Sequence, residues 1–154
     1  MTTSQLARWV ALCGGAGLLK PGPGTWGSLL GLILGVGIVA VGGSFLGLLA
    51  AAGCFGVGCW ASGRYARDIR IADPGEVVID EAAAMILTVA LVPFEPMSLI
   101  LAFALFRVFD IAKPWPVSLA EQRLEGALGI MADDIVAALL SIAAVWLVVH
   151  FLLA

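Results

Sequence analysis

A chain of 154 residues with 62% hydrophobic and 12% charged side chains cannot hide its apolar surface as a soluble globule, where about 25% of residues are charged. Disorder is excluded as well, since it needs low hydrophobicity and high net charge. A formal net charge of −3 offers no basic face to nucleic acid, so the expectation is one integral membrane domain over residues 1–154.

At the start, Arg8 precedes the apolar run Trp9–Leu12 in the manner of a secretion signal. Gly14, Gly15 and Gly17 break that run and Lys20 ends it, which is too short for a signal core, so no cleaved segment is expected. Cys13, Cys54 and Cys59 are too few for a disulfide framework. Their apolar or glycine-rich neighbours predict small buried hydrophobes.

The stretch Lys20-Pro21-Gly22-Pro23-Gly24-Thr25-Trp26-Gly27-Ser28 opens the first apolar helix. Thr25 suits an N-cap. Amide N–H groups left free at such a start, together with the helix dipole, favour an anion there. The Walker spacing Gly-x-x-x-x-Gly-Lys-Ser/Thr is absent.

No charged residue occurs between Lys20 and Arg64. At about 20 residues per crossing, this predicts two helices, Trp26–Val41 and Ser44–Ser62, joined by Gly42-Gly43. Gly27, Gly31 and Gly35 on the first, and Gly43, Gly47 and Ala51 on the second, have the spacing that lets helix backbones approach in lipid. Such faces could also pair two copies of the chain as a homo-oligomer.

Arg64 to Glu81 is polar, and Ala82–Phe106 is apolar except for Pro93-Phe94-Glu95-Pro96. Two prolines and a carboxylate so close together mark a turn at a water interface better than a midplane kink. After the polar stretch Arg107–Asp134, Ile135–Ala154 forms a final span. The fold class expected is therefore all-α and polytopic, with about five membrane-embedded helices. The third and fourth are short and recruit Val77–Glu81 and Arg107–Ile111. Trp115, between Pro114 and Pro116, reads as an interfacial anchor.

Charge bias supports the turn. With it, Arg8, Lys20, Arg64, Arg67, Arg70, Arg107, Lys113 and Arg123 all fall on one side, which the positive-inside tendency makes cytoplasmic. One long span instead would carry Arg107, Lys113 and Arg123 across the membrane.

The same layout gathers Asp80-Glu81, Asp110 and Asp133-Asp134 at one surface, at the ends of apolar helices. Ionisable residues at a membrane boundary are costly and usually functional. Clustered carboxylates repel unless a cation neutralises them, and all-oxygen ligation suits Mg²⁺. Arg107, Asp110 and Lys113 stand three apart, on one helix face until Pro114. Arg107 can grip a phosphate bidentately and Lys113 adds a point charge.

Carboxylates, cations and an anion-accepting helix start together suggest hydrolysis or transfer at a phosphate. His150, the sole histidine, lies in the last apolar run near the opposite surface, so it cannot serve as nucleophile. Cys59 stands one residue too close to Arg64 for a Cys-x5-Arg loop, and Asp-x-Asp is absent. Metal-assisted attack on phosphorus by water or a carboxylate remains.

Four blocks carry a resemblance: Pro23–Ser28 (PGTWGS), Val78–Glu81 (VIDE), Phe106–Pro116 (FRVFDIAKPWP) and Gly129–Ala137 (GIMADDIVA). In this order, covering Leu18 to about Ala138, they resemble the phosphatidylglycerophosphatase A family. Ala84 and Ala138 stand where that family commonly has glycine, and Glu121–Gly126 matches less well. The resemblance implies a Mg²⁺-dependent lipid phosphatase of the bacterial inner membrane, its active site on the cytoplasmic face. It would convert phosphatidylglycerophosphate, its lipid partner in the bilayer, to phosphatidylglycerol and inorganic phosphate.

Taken with the residues themselves, it gives expected roles. Asp80, Glu81, Asp133 and Asp134 hold Mg²⁺. Asp110 is a further ligand or the base for the attacking water, so that Asp80, Glu81, Asp110 and Asp134 form the catalytic set. Arg107 and Lys113 bind the phosphomonoester, assisted by Lys20 and by the helix start from Thr25 to Ser28. Mg²⁺ usually takes one or two carboxylates and keeps waters, so the remainder are second-ion ligands or outer partners. Two alternatives are a small divalent-cation transporter, which would spread its charges through the membrane depth, and another lipid head-group enzyme, whose longer aspartate- and glycine-spaced signature is missing.

Overall fold

A computed structural model describes residues 1–152, and among these there are helices and no strand. The first helix, α1 (Thr3–Ala11), begins at a capping box. Thr2 Oγ1 accepts from the Gln5 amide at 3.2 Å, and the Thr2 amide donates to Gln5 Oε1 at 2.8 Å. α1 buries Ala7 and Ala11 and leaves Leu6 and Trp9 exposed. A 3₁₀ turn over Cys13–Leu18 leads to α2 (Pro23–Ile69).

α2 spans 47 residues, but Gly43 leaves the helical region, at φ 68° and ψ −175°. The neighbours of its glycines show a reversal there. Before it, Gly27, Gly31 and Gly35 back on Val78, Ala82 and Val89 in ascending order; after it, Gly47 and Gly58 back on Ala90 and Ile79 in descending order. The two arms of α2 thus run in opposite directions along α3 (Ile79–Leu91). A Cβ at Gly27 or Gly31 would stand 2.6 Å from atoms of Val78 or Ala82, so only glycine permits this approach. Gly27, Gly31, Gly35 and Gly47 are thus used for packing within one chain.

After α3 the chain turns at residues 93–96 into α4 (Pro96–Ala112), then passes through the short α5 (Val117–Arg123) to α6 (Gly126–Leu152). α6 runs alongside α3: Met131 meets Gly58 beside Ile79, and Trp146 Nε1 donates to the Leu91 carbonyl at 2.8 Å. α4 returns antiparallel to α3, since Arg107 reaches Ser28 at the start of α2. One end of the molecule therefore holds Gly43, the Pro93–Pro96 turn and the end of α6. The other holds α1, the start of α2, Arg64 (3.0 Å from Ser4 Oγ), the start of α3 and α5.

α3 lies at the centre, with Ala82, Ala83, Ala84 and Met85 all buried. Outward-facing Ile33, Val41, Phe45, Ile100, Leu147 and Phe151 are exposed, which suits a lipid surround and would disfavour an aqueous one. α2 and α6 are long and apolar enough to cross a membrane. α3 and α4 have 13 and 17 residues, short as expected.

Helix ends differ from the sequence reading. The second arm of α2 continues past Ser62 to Ile69, and α6 starts at Gly126 rather than Ile135, because charged residues on a face turned to partners or water do not stop a helix whose backbone is satisfied. Residues 153 and 154 of the expected final span lie outside the described residues. Asp133 and Asp134 are consequently within a helix, not at its end.

Candidate active site

Asp80 and Glu81 occupy the first turn of α3, and Asp134 projects towards them from α6. One carboxylate oxygen from each lies within 4.8 Å of the others. Asp80 and Asp134 are 8% and 4% exposed, so the cluster is removed from water. One of its charges is tied locally, the Glu81 amide donating to Asp80 Oδ1 at 2.9 Å, and beside the cluster the Asp134 amide donates to Asp133 Oδ1 at 3.1 Å. Glu81 Oε2 is buried without a hydrogen-bond partner among the described residues. Buried carboxylates at this spacing repel one another and lack solvation, so the arrangement calls for a cation. An all-oxygen donor set fits a hard divalent ion.

The cations surround this cluster. Arg107, on α4, pairs with Asp110 one turn on, and its Nη1 donates to Ser28 Oγ at 3.2 Å. Ser28 is fully buried and donates to the Gly24 carbonyl at 2.7 Å. A Cβ at Gly24 would collide with Glu81 Oε1 and stand 3.1 Å from Arg107 Nη1. The bare backbone at Gly24 therefore lets the start of α2 close against both groups. Arg107 Nε is buried and has no hydrogen-bond partner among the described residues.

Lys113 follows α4 at φ 44°, a left-handed C-cap. Its Nζ pairs with Asp133 at 2.9 Å and Glu121 at 2.7 Å. Partial burial works to lower the Lys113 pKa, but these two partners outweigh it and hold the pKa above its ordinary value.

A cavity of about 130 Å³ opens onto Asp80, Glu81, Asp110, Lys113, Asp133 and Asp134. The expected carboxylates and Lys113 thus meet at one place, with Arg107 and Ser28 directly behind Glu81. Two expected residues do not join them. Lys20 is exposed and borders no part of this cavity. Thr25 is exposed within the first turn of α2 and is not the N-cap: Gly22, at φ 69°, takes that position and its carbonyl accepts from the Thr25 amide at 3.0 Å. A left-handed residue followed by Pro23 at the helix start moves the cap upstream of Thr25.

The sequence reading missed Glu121, which shares Lys113, and the segment before Asp80. Tyr65 donates to Glu76 Oε1 at 2.6 Å, and the Val78 amide donates to the Ala11 carbonyl at 3.0 Å. These tie α1 and α2 to the residues that lead into the acidic turn. The Asp73-Pro74-Gly75 turn, also on the cavity wall, was the available signal. Trp115 is 76% exposed, as an interfacial anchor would be.

The family model described as Phosphatidylglycerophosphatase A matches residues 9–149. Phosphatidylglycerophosphatase A of Haemophilus influenzae is 40% identical over 140 residues, 90% of this chain and 86% of the relative. Phosphatidylglycerophosphatase A of Escherichia coli is 32% identical over 138 residues, 88% of this chain and 79% of the relative. No solved structure matches the chain.

Proposed function

The chain belongs to the phosphatidylglycerophosphatase A family and is a phosphatase, and from that premise we propose that it is Mg²⁺-dependent and releases the terminal phosphate of phosphatidylglycerophosphate at the cytoplasmic face of a bacterial inner membrane. The observation that carries the site assignment is the buried Asp80–Glu81–Asp134 cluster, with an unpartnered Glu81 oxygen, at a cavity bordered by Lys113.

In this reading Asp80, Glu81 and Asp134 hold the ion, and Asp133 contributes to its surroundings while paired with Lys113. When bound, Mg²⁺ neutralises charge on the phosphoryl oxygens during transfer. Arg107 and Lys113 bind the phosphomonoester, exchanging part of their pairing with Asp110, Asp133 and Glu121 for phosphate oxygens. Asp110, at the cavity and held by Arg107, takes a proton from the attacking water. Ser28, fully buried and hydrogen-bonded to Arg107, positions that arginine. Lys20 and Thr25 supply positive charge and a polar edge at the surface without entering the cavity. The acyl chains remain in lipid while the head group reaches the helix ends.

A divalent-cation transporter would need acidic groups through the membrane depth; here they bunch at one end. The direct trial is Asp80→Asn and Asp134→Asn, assayed for phosphate release from detergent micelles. Each is expected to lose at least about 100-fold in turnover, the scale set by metal-ligand surroundings, and near-normal rates in both would end the assignment. Chelation should abolish activity and Mg²⁺ restore it. Mg²⁺ flux into liposomes without phosphate release would favour the transporter instead.

A further inference from the structure

Beyond the acidic cavity, the end of α2 and the start of α6 enclose a second opening of about 240 Å³. Gly63 and Ala66 form its floor on one side and Gly126 and Ala127 on the other, while Arg67 and Arg70 stand at its rim. Both arginines are exposed, and among the described residues neither forms an ion pair. Arg8, Lys20 and Arg123 are likewise unpaired among the described residues, but none of them borders this opening. Arg70 is placed by a left-handed C-cap at φ 60°.

This opening does not stand alone. It shares Ala72 and Gly126 with a larger cavity of about 500 Å³, and that one shares Asp73, Ile130 and Asp133 with the acidic cavity. The path between runs past Glu121 and Glu125, carboxylates that accept hydrogen bonds from hydroxyl groups and repel phosphates. The wall thus offers two places for an anion, one at each end, and hydroxyl-binding groups between them. A phosphatidylglycerophosphate head group has that order: a phosphodiester, a glycerol hydroxyl, then a phosphomonoester.

Resting on the phosphatase reading above, we propose that Arg67 and Arg70 bind the phosphodiester of the lipid substrate while its terminal phosphate occupies the acidic cavity. The pair then selects lipids that carry a diester ahead of the scissile monoester. Phosphatidate, whose only phosphate is the monoester, gains nothing from it.

The test uses full-length protein in mixed micelles and two lipids of equal acyl composition, phosphatidylglycerophosphate and phosphatidate. Arg67→Gln with Arg70→Gln should raise KM for phosphatidylglycerophosphate roughly tenfold, the effect of losing about one charge-assisted hydrogen bond, with kcat nearly unchanged. Phosphatidate turnover should stay within about twofold. Arg67→Lys with Arg70→Lys, which keeps both charges, should retain most of the affinity. An unchanged KM, an equal loss on both lipids, or a lysine pair as impaired as the glutamine pair overturns the inference and leaves the phosphatase reading standing. Failure of the unaltered protein to release phosphate from either lipid sinks both.

Discussion

Gly24 concentrates the demands on single residues. Its missing side chain lets Glu81 and Arg107 meet at the start of α2. In Gly24→Ala the new Cβ would enter the space of the Glu81 carboxylate, so Glu81 must shift. Displacements of about 1 Å at a reacting site can cost about 100-fold. Turnover by this variant is expected to fall on that scale while its melting temperature changes little, because the displaced atoms border a cavity; native-like turnover would show that Glu81 has no fixed position to lose. Tyr65→Phe is the contrasting case. It removes the hydrogen bond to Glu76, worth about 1 kcal/mol, and should lower thermal stability by a few degrees while turnover falls only modestly. The carboxylates of the site were legible in the sequence because a charge bordering an apolar run has few bland explanations. Spacing grouped Lys113 with Arg107 and Asp110 but did not show its pairing with Asp133 on α6. Thr25 was misplaced because Gly22 and Pro23 set the cap three residues earlier. Backbone conformation at single residues is what spacing does not encode.

At the scale of elements, the two arms of α2 fold back on α3 through one residue. Gly43 sits at φ 68° and ψ −175°, a region essentially restricted to glycine. Gly43→Ala should therefore destabilise the protein by about 1–3 kcal/mol, read as a lower melting temperature in detergent. Phosphate release measured well below that temperature should remain normal, since Gly43 is at the end of the molecule away from the carboxylates. An unaltered melting temperature would mean that the two arms do not depend on this bend. The sequence showed the reversal through Gly42-Gly43 and the helix approach through Gly27, Gly31 and Gly35. It did not show where α2 and α6 end, because Arg64, Arg67, Asp133 and Asp134 read as loop residues when only polarity is weighed. In the folded chain Arg64 is met by Ser4 and Asp68, Arg67 is exposed and Asp133 pairs with Lys113, so the helices continue through them, and α6 carries Asp133 and Asp134 into the site.

For the whole molecule, the reversals at Gly43 and at Pro93–Pro96 place every Lys and Arg near one end. The two arms of α2 with α3, α4 and α6 make five helical runs, which leave the start and finish of the described chain at opposite ends. This arrangement was readable before any coordinates because positive charge distributes unequally across a bilayer, and a Pro-Phe-Glu-Pro turn is costly inside one. Which end faces the cytoplasm follows from that charge rule alone and is open to measurement. In a background lacking Cys13, Cys54 and Cys59, Glu95→Cys and Gln122→Cys each add one exposed thiol, one at each end of the molecule. A membrane-impermeant maleimide applied to intact spheroplasts should label position 95 and spare position 122 until the membrane is opened. The inverse pattern would turn the protein over and remove the acidic cavity from cytoplasmic Mg²⁺. Equal labelling of both positions before opening would contradict a bilayer between them, and with it the reason for Asp80, Asp110 and Asp134 to be drawn together at a single membrane surface.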